Sequence, residues 1–170
     1  MTTMDYAAYI ASLPRVLAGA GTVFRATDGR ILLVEPNYRD TWLLPGGTVE
    51  SDRGESPRQA ARRETAEEIG LNLAPGALLA VDWVRSEQRP PLVSYLFDGG
   101  VLDAAQLGAV RLQEEELLSW RLVTWDEAER LVDRRLALRL RAALDALARG
   151  TGPAELEDGL PPNSRGGTPA

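Results

Sequence analysis

Glu64, Glu67 and Glu68 stand at i, i+3 and i+4, a spacing that puts three carboxylates on one face of a helix. Like charges that close cost a helix roughly 0.2–0.5 kcal/mol per pair, so something has to offset them. One reading is a solvated acidic face balanced by the neighbouring Arg62 and Arg63. The other is a divalent cation, because Mg2+ and Mn2+ are hard ions that take carboxylate oxygens and commonly share them with substrate phosphates. Composition narrows the chemistry further. The chain has no His and no Cys, which excludes imidazole bases, Ser-His triads, His-ligated zinc, thiolate nucleophiles and disulfides. Carboxylates are left as the acid–base and metal-binding groups.

The elements that must hold these side chains are well signalled. Ser56 is a natural N-cap, Pro57 suits the first helical position, and Gln59 stands where a capping box needs an acceptor. Ala60 and Ala61 favour helix, and Gly70 suits the left-handed position that ends one. These signals predict a helix over 57–69. Upstream, the apolar run Trp42-Leu43-Leu44 ends in Pro45-Gly46-Gly47, a strand feeding a tight turn. Glycines there let the backbone come close to a ligand.

Turn and helix together resemble the signature of the Nudix hydrolases. That pattern is Gly, five residues, Glu, seven residues, Arg-Glu, an apolar residue, any residue, Glu-Glu, any residue, Gly and an apolar residue. From Glu55 through Arg63-Glu64-Thr65-Ala66-Glu67-Glu68-Ile69-Gly70-Leu71 the spacing agrees throughout. Two features depart from the pattern. Seven residues separate Gly47 from Glu55, so 50–54 is expected to be a loop with two extra residues. Thr65 stands at the apolar position after Arg-Glu, with a methyl that can still pack.

The resemblance implies an α/β/α sandwich around a mixed sheet. It also implies hydrolysis, with Mg2+ or Mn2+ as cofactor, of a diphosphate that joins a nucleoside to another group. Glu64, Glu67 and Glu68 would be the metal ligands, with the Gly46 carbonyl as a further one. Arg63 would pair with Glu55 and orient the carboxylates. The general base stays open between a box glutamate such as Glu64 and a later acidic loop, where Glu116 aligns best and Glu115 and Glu114 are neighbours. That loop reads equally as a solvated acidic turn. Tyr38, Arg39 and Trp42, just before the turn, are candidate substrate contacts, with core packing the competing role for Trp42. A Nudix-like module that binds a nucleotide without cleaving it is the alternative from another class, but such proteins usually lose box carboxylates and this chain keeps all four. Modified nucleoside triphosphates, ADP-ribose, dinucleoside polyphosphates, nucleotide sugars and non-nucleotide prenyl diphosphates are the candidate substrates.

The 170 residues are enough for one domain with a single core. A net charge of −6 argues against a nucleic-acid duplex or an anionic membrane as partner. The expected partner is a small-molecule diphosphate, and the chain could pair as a homodimer. Without an apolar run near the roughly 18 residues a membrane span needs, a cytoplasmic location is expected. Along the chain, 1–14 reads as a short helix over the body. Residues 16–26 and 30–35 read as a hairpin, and 78–85, 92–97 and 120–124 as further strands. Residues 126–132 and 136–148 read as helices, with an irregular stretch over 99–113. The Nudix domain is expected over 1–149, and 150–170, rich in Gly, Pro and Ser, is expected to be a flexible tail.

Overall fold

In the computed structural model, which describes residues 5–162 and 164, a short helix α1 (Tyr6–Ser12) precedes the body of the fold. It buries none of its side chains, so the helix expected over 1–14 is present but adds nothing to the core; residues 1–4 are outside the described residues. The sheet begins with β1 (Leu17–Ala26), which turns at 27–29 into β2 (Ile31–Pro36). A short strand β3 (Gly46–Thr48) and a 3-10 turn (Ser51–Arg53) lead into α2 (Pro57–Ile69). Then come β4 (Leu78–Val84), β5 (Leu92–Leu102), α3 (Ala104–Gly108) and β6 (Leu117–Val123). Two helices, α4 (Trp125–Leu131) and α5 (Arg134–Arg149), and a last strand β7 (Ala154–Glu157) complete the order.

The strands lie in the order β6-β2-β1-β5-β4-β7, with β3 pairing β1 off that path. The β1–β5 and β4–β7 pairs are parallel and the others antiparallel, so the sheet is mixed. On one face α2 presents Ala60 and Ala61 to Ala20, Val49 and Phe97, and such small residues let the helix lie close to β1 and β3. On the other face the apolar stripe of α5, Leu136, Ala137, Leu140 and Ala143, packs with Val23, Leu33, Leu79 and Leu96. A full burial such as that of Leu140 is worth about 1.5–3 kcal/mol. The result is the expected α/β/α sandwich.

Two segments differ from the sequence reading. The irregular stretch over 99–113 begins as strand: β5 continues to Leu102 because the register shifts opposite Val23 and Phe24, leaving Gly99 as the extra residue. A Cβ on Gly99 would run into the Phe24 ring. Asp103 and Gln106 then form a reciprocal capping box that starts α3. The second difference is the tail. Ala154–Glu157 adds to the sheet edge beside β4, Leu156 is buried, and the Gly159 N–H donates to Asp82 Oδ1 at 3.1 Å. Asp82 is fully buried and accepts from Arg139 Nε at 2.8 Å. That anchor holds residues 154–160 on the body, so they are not a flexible tail; residue 163 and residues 165–170 are outside the described residues. Among the described residues no helix is long and apolar enough to cross a membrane.

Candidate active site

The helix α2 has the limits its caps dictate. Ser56 Oγ accepts from the Gln59 N–H at 3.3 Å, and Gln59 Oε1 accepts from the Ser56 N–H at 2.9 Å. Gly70 ends it in the left-handed region, φ 73°. Its inward side is Ala60, Ala61, Thr65, Glu68 and Ile69. Thr65 is tolerated at an apolar position because its hydroxyl donates to the Ala61 carbonyl at 2.7 Å inside the helix.

Arg63 is the hub of the outer side. Its Nε donates to Glu55 Oε1 at 2.8 Å, and Nη2 donates to Glu55 Oε2 and the Thr48 carbonyl, both at 3.0 Å. Nη1 donates to Glu64 Oε1 at 2.8 Å and Glu67 Oε2 at 2.9 Å. A guanidinium has five N–H donors, and every one is used. The fork of donors beside Glu55 holds that carboxyl below the usual carboxylate range. The longer loop does not prevent this pairing. Its extra length is taken up by the turn Ser51–Arg53, and the Glu50 N–H donates to Glu55 Oε2 at 2.8 Å, aiming the carboxylate at α2. The Thr48 carbonyl is a contact that no side-chain motif announces.

Glu68 is the inward carboxylate. It is 5% exposed, and its one protein donor among the described residues is the Gly46 N–H, 2.8 Å from Oε2. Burial pushes its pKa up to about 8 against that hydrogen bond, and the charges of Glu64, Glu116 and Glu67 add to the rise. Glu64 also rises, through burial first, with Arg63 opposing. Both turn glycines are required here. Gly46 has φ 152°, and a Cβ on it would strike the Ala20 carbonyl of β1. At Gly47 a Cβ would strike the Glu64 carboxylate.

The acidic loop is tied to the end of α2. The Gln113 N–H donates to the Glu68 carbonyl and the Glu116 N–H to the Gln113 carbonyl, both at 3.1 Å. Of the loop acids it is Glu116 whose charge raises both Glu64 and Glu68. On the other side the loop meets Asn37, whose N–H donates to the Glu116 carbonyl at 2.9 Å and whose Nδ2 donates to the Glu115 carbonyl at 2.7 Å. The sequence reading passed over Asn37; a polar loop residue beside Tyr38 was its only signal.

The three upstream candidates separate. Tyr38 is exposed, and partial desolvation and then the charges of Glu68 and Glu116 push its phenol up. Arg39 turns the other way, donating to Thr41 Oγ1 at 2.8 Å and Asp133 Oδ2 at 3.1 Å, although it still lines an open groove with Tyr38, Asn37 and Leu118. Trp42 packs in the core. It is buried there, with the Arg121 guanidinium 4.9 Å from its ring.

A family-wide sequence profile described as NUDIX domain matches residues 16–146, from the start of β1 to near the end of α5. The chain belongs to the Nudix family. It is 33% identical over 138 residues to a MutT-like protein of Streptomyces ambofaciens, covering 79% of this chain and 77% of that one. It is 39% identical over 70 residues to an RNA pyrophosphohydrolase of Psychrobacter cryohalolentis, but the match takes in 40% of this chain and spans only 39% of that relative. Among solved structures, a MutT protein from Methanosarcina mazei Go1 superposes with a TM-score of 0.63 at 24% identity, over 82% of this chain and 99% of that one, a likeness of fold.

The Nudix box suits a hard divalent cation in its donor chemistry. Glu64 Oε2, Glu67 Oε1 and Glu68 Oε1 accept no hydrogen bond among the described residues, so each carboxylate keeps an oxygen to offer. Arg63 supplies one positive charge to the negative charges of Glu55, Glu64 and Glu67, while Glu68 pairs with no cation among the described residues. With the side chains where they stand, no three acidic groups among the described residues converge as ready-made metal ligands. Arg63 draws Glu64 and Glu67 toward itself, and ligation would require them to swing towards Glu68.

Proposed function

We propose that this Nudix protein is a hydrolase that cuts a diphosphate linking a nucleoside to another group, with Mg2+ or Mn2+ as cofactor. The observation that carries the reading is the arrangement on α2: Glu64 and Glu67 held by Arg63, and Glu68 buried against the Gly46 N–H with its pKa raised to about 8. A carboxylate this costly to bury in charged form, among three other acids, is the signature of a site that expects a cation. The cation would screen the diphosphate oxygens and make water more acidic.

In this reading Glu64, Glu67 and Glu68 bind the metal, helped by the Gly46 carbonyl. Arg63 orients Glu64 and Glu67 and is itself fixed by Glu55 and the Thr48 carbonyl. Glu116 accepts the proton of the attacking water on its carboxylate, because its charge acts on both Glu64 and Glu68 and, among the described residues, it shares no hydrogen bond with Arg63. Tyr38 contacts the substrate from the groove that it lines with Glu35, Asn37, Arg39 and Asp40. That lining is mostly polar, which favours a nucleotide over a prenyl chain. The Nudix unit is residues 1–149, and β7 braces the sheet at the edge beside β4.

The test is phosphate release from modified nucleoside triphosphates, ADP-ribose, dinucleoside polyphosphates, nucleotide sugars and prenyl diphosphates, with Mg2+ and with Mn2+. Metal-dependent release from a nucleotide class is expected. Release from prenyl diphosphates alone would overturn the substrate assignment. Tight nucleotide binding without release would favour the non-catalytic module.

A further inference from the structure

We propose that Asn37 is a positioning residue for Glu116, clamping the acidic loop so that the Glu116 carboxylate faces the box glutamates. The proposal rests on the proton-accepting role given to Glu116 above. Asn37 directly follows β2, at the point where the chain leaves the sheet for the loop that carries Tyr38. The loop it touches is a tight one: the Glu116 and Leu117 N–H groups both donate to the Gln113 carbonyl, at 3.1 and 2.9 Å.

That loop has an anchor on either side. One is the end of α2, through the Gln113 N–H and the Glu68 carbonyl at 3.1 Å. The other is Asn37, which bonds two successive carbonyls, Glu115 through Nδ2 at 2.7 Å and Glu116 through its N–H at 2.9 Å. Any residue but proline could make the backbone bond. Only a side chain with an N–H or O–H donor and this short reach could make the other. Fixing two adjacent peptide groups sets the direction in which the Glu116 side chain leaves the backbone. The competing account is that Asn37 is a polar residue suited to a turn, in which case its loss would touch stability and leave the chemical step alone.

The test is kcat, KM and melting temperature for Asn37→Ala, Glu116→Gln, the double variant and Asn37→Asp, on a substrate found by phosphate release. One hydrogen bond's worth of ordering predicts an about fivefold fall in kcat for Asn37→Ala, with KM nearly unchanged. In the Glu116→Gln background Asn37→Ala should cost nothing more, because both act on one step. Asn37→Asp keeps the shape and loses the donor, so it should not restore kcat. Wild-type kcat in Asn37→Ala would overturn the proposal, as would the same loss persisting without Glu116 or full recovery in Asn37→Asp. Wild-type kcat in Glu116→Gln alone would instead overturn the proton-accepting role, and the clamp's catalytic purpose with it.

Discussion

Arg63 and Glu55 are joined by two hydrogen bonds, of 2.8 and 3.0 Å, across a loop two residues longer than the Nudix pattern allows. The bidentate pair fixes the guanidinium plane, and the remaining donors then reach Glu64, Glu67 and the Thr48 carbonyl. The order of the site therefore starts from Glu55, outside the helix.

Arg63→Lys tests that order. An ammonium is a point charge with three donors and cannot bridge three carboxylates and a carbonyl. The partly exposed network should lose about 2 kcal/mol in metal-free protein. Because a divalent cation would take over part of the neutralisation, the loss should shrink at saturating Mg2+. Thermal melts with and without metal check both parts; equal losses in the two conditions would mean that Arg63 and the cation do not share the carboxylates.

Glu68 gives a signed pH prediction for the metal-free protein. Its folded pKa is raised from the ordinary 4.5 to about 8, so between those values the folded chain holds a proton that the unfolded chain has released. The contribution is complete below about 4.5 and is lost as pH rises through about 8. Glu64 shifts in the same direction. The melting temperature of metal-free protein should therefore fall between about pH 4.5 and about pH 8, and Glu68→Gln should flatten that slope. Mg2+ should oppose it, since the deprotonated carboxylate is the ligand. An unchanged slope in the variant would place its source elsewhere.

Asp82→Ala tests the anchoring of the last strand. It would leave Arg139, 12% exposed in its side chain, without its partner, and the Gly159 N–H without its acceptor. The expected loss is about 3 kcal/mol. The pair lies between β4 and α5, away from α2, so kcat well below the melting temperature should stay near wild type. Denaturant unfolding and a rate assay separate the two effects; a stable variant would show that residues 154–160 contribute little.

Much of this was legible in the sequence. Ser56, Pro57, Gln59 and Gly70 marked the limits of α2 because capping is local chemistry, and the i, i+3, i+4 glutamates followed. What stayed hidden depends on partners far along the chain. β5 reads as ending near Asp98-Gly99-Gly100, a turn-like run, because the bulge against Phe24 is set by β1. β7 has one buried apolar residue, Leu156, too few to show a period. The Asp103 and Gln106 box is local chemistry too, but the helix it starts is only five residues long and carries no apolar period. Thr48 and Asn37 enter the site through hydrogen bonds to or from the backbone, which no side-chain spacing signals.

The base assignment turns on pH–rate profiles at saturating Mg2+. Glu116→Gln should lower kcat and flatten the acidic limb while metal affinity holds. Glu64→Gln should weaken metal binding and activity together. A full profile in Glu116→Gln would return the role to a box carboxylate or to Glu114 or Glu115.

The most direct measurement is kcat for Glu67→Gln and Glu68→Gln on the best substrate, alongside calorimetric titration of Mg2+. Each substitution keeps the shape and removes a ligand charge, so kcat should fall by roughly two orders of magnitude or more and the binding heat should weaken, with the fold intact. Turnover and Mg2+ binding at wild-type levels in both variants would contradict the account, because the metal and the cleaved diphosphate would then sit away from α2.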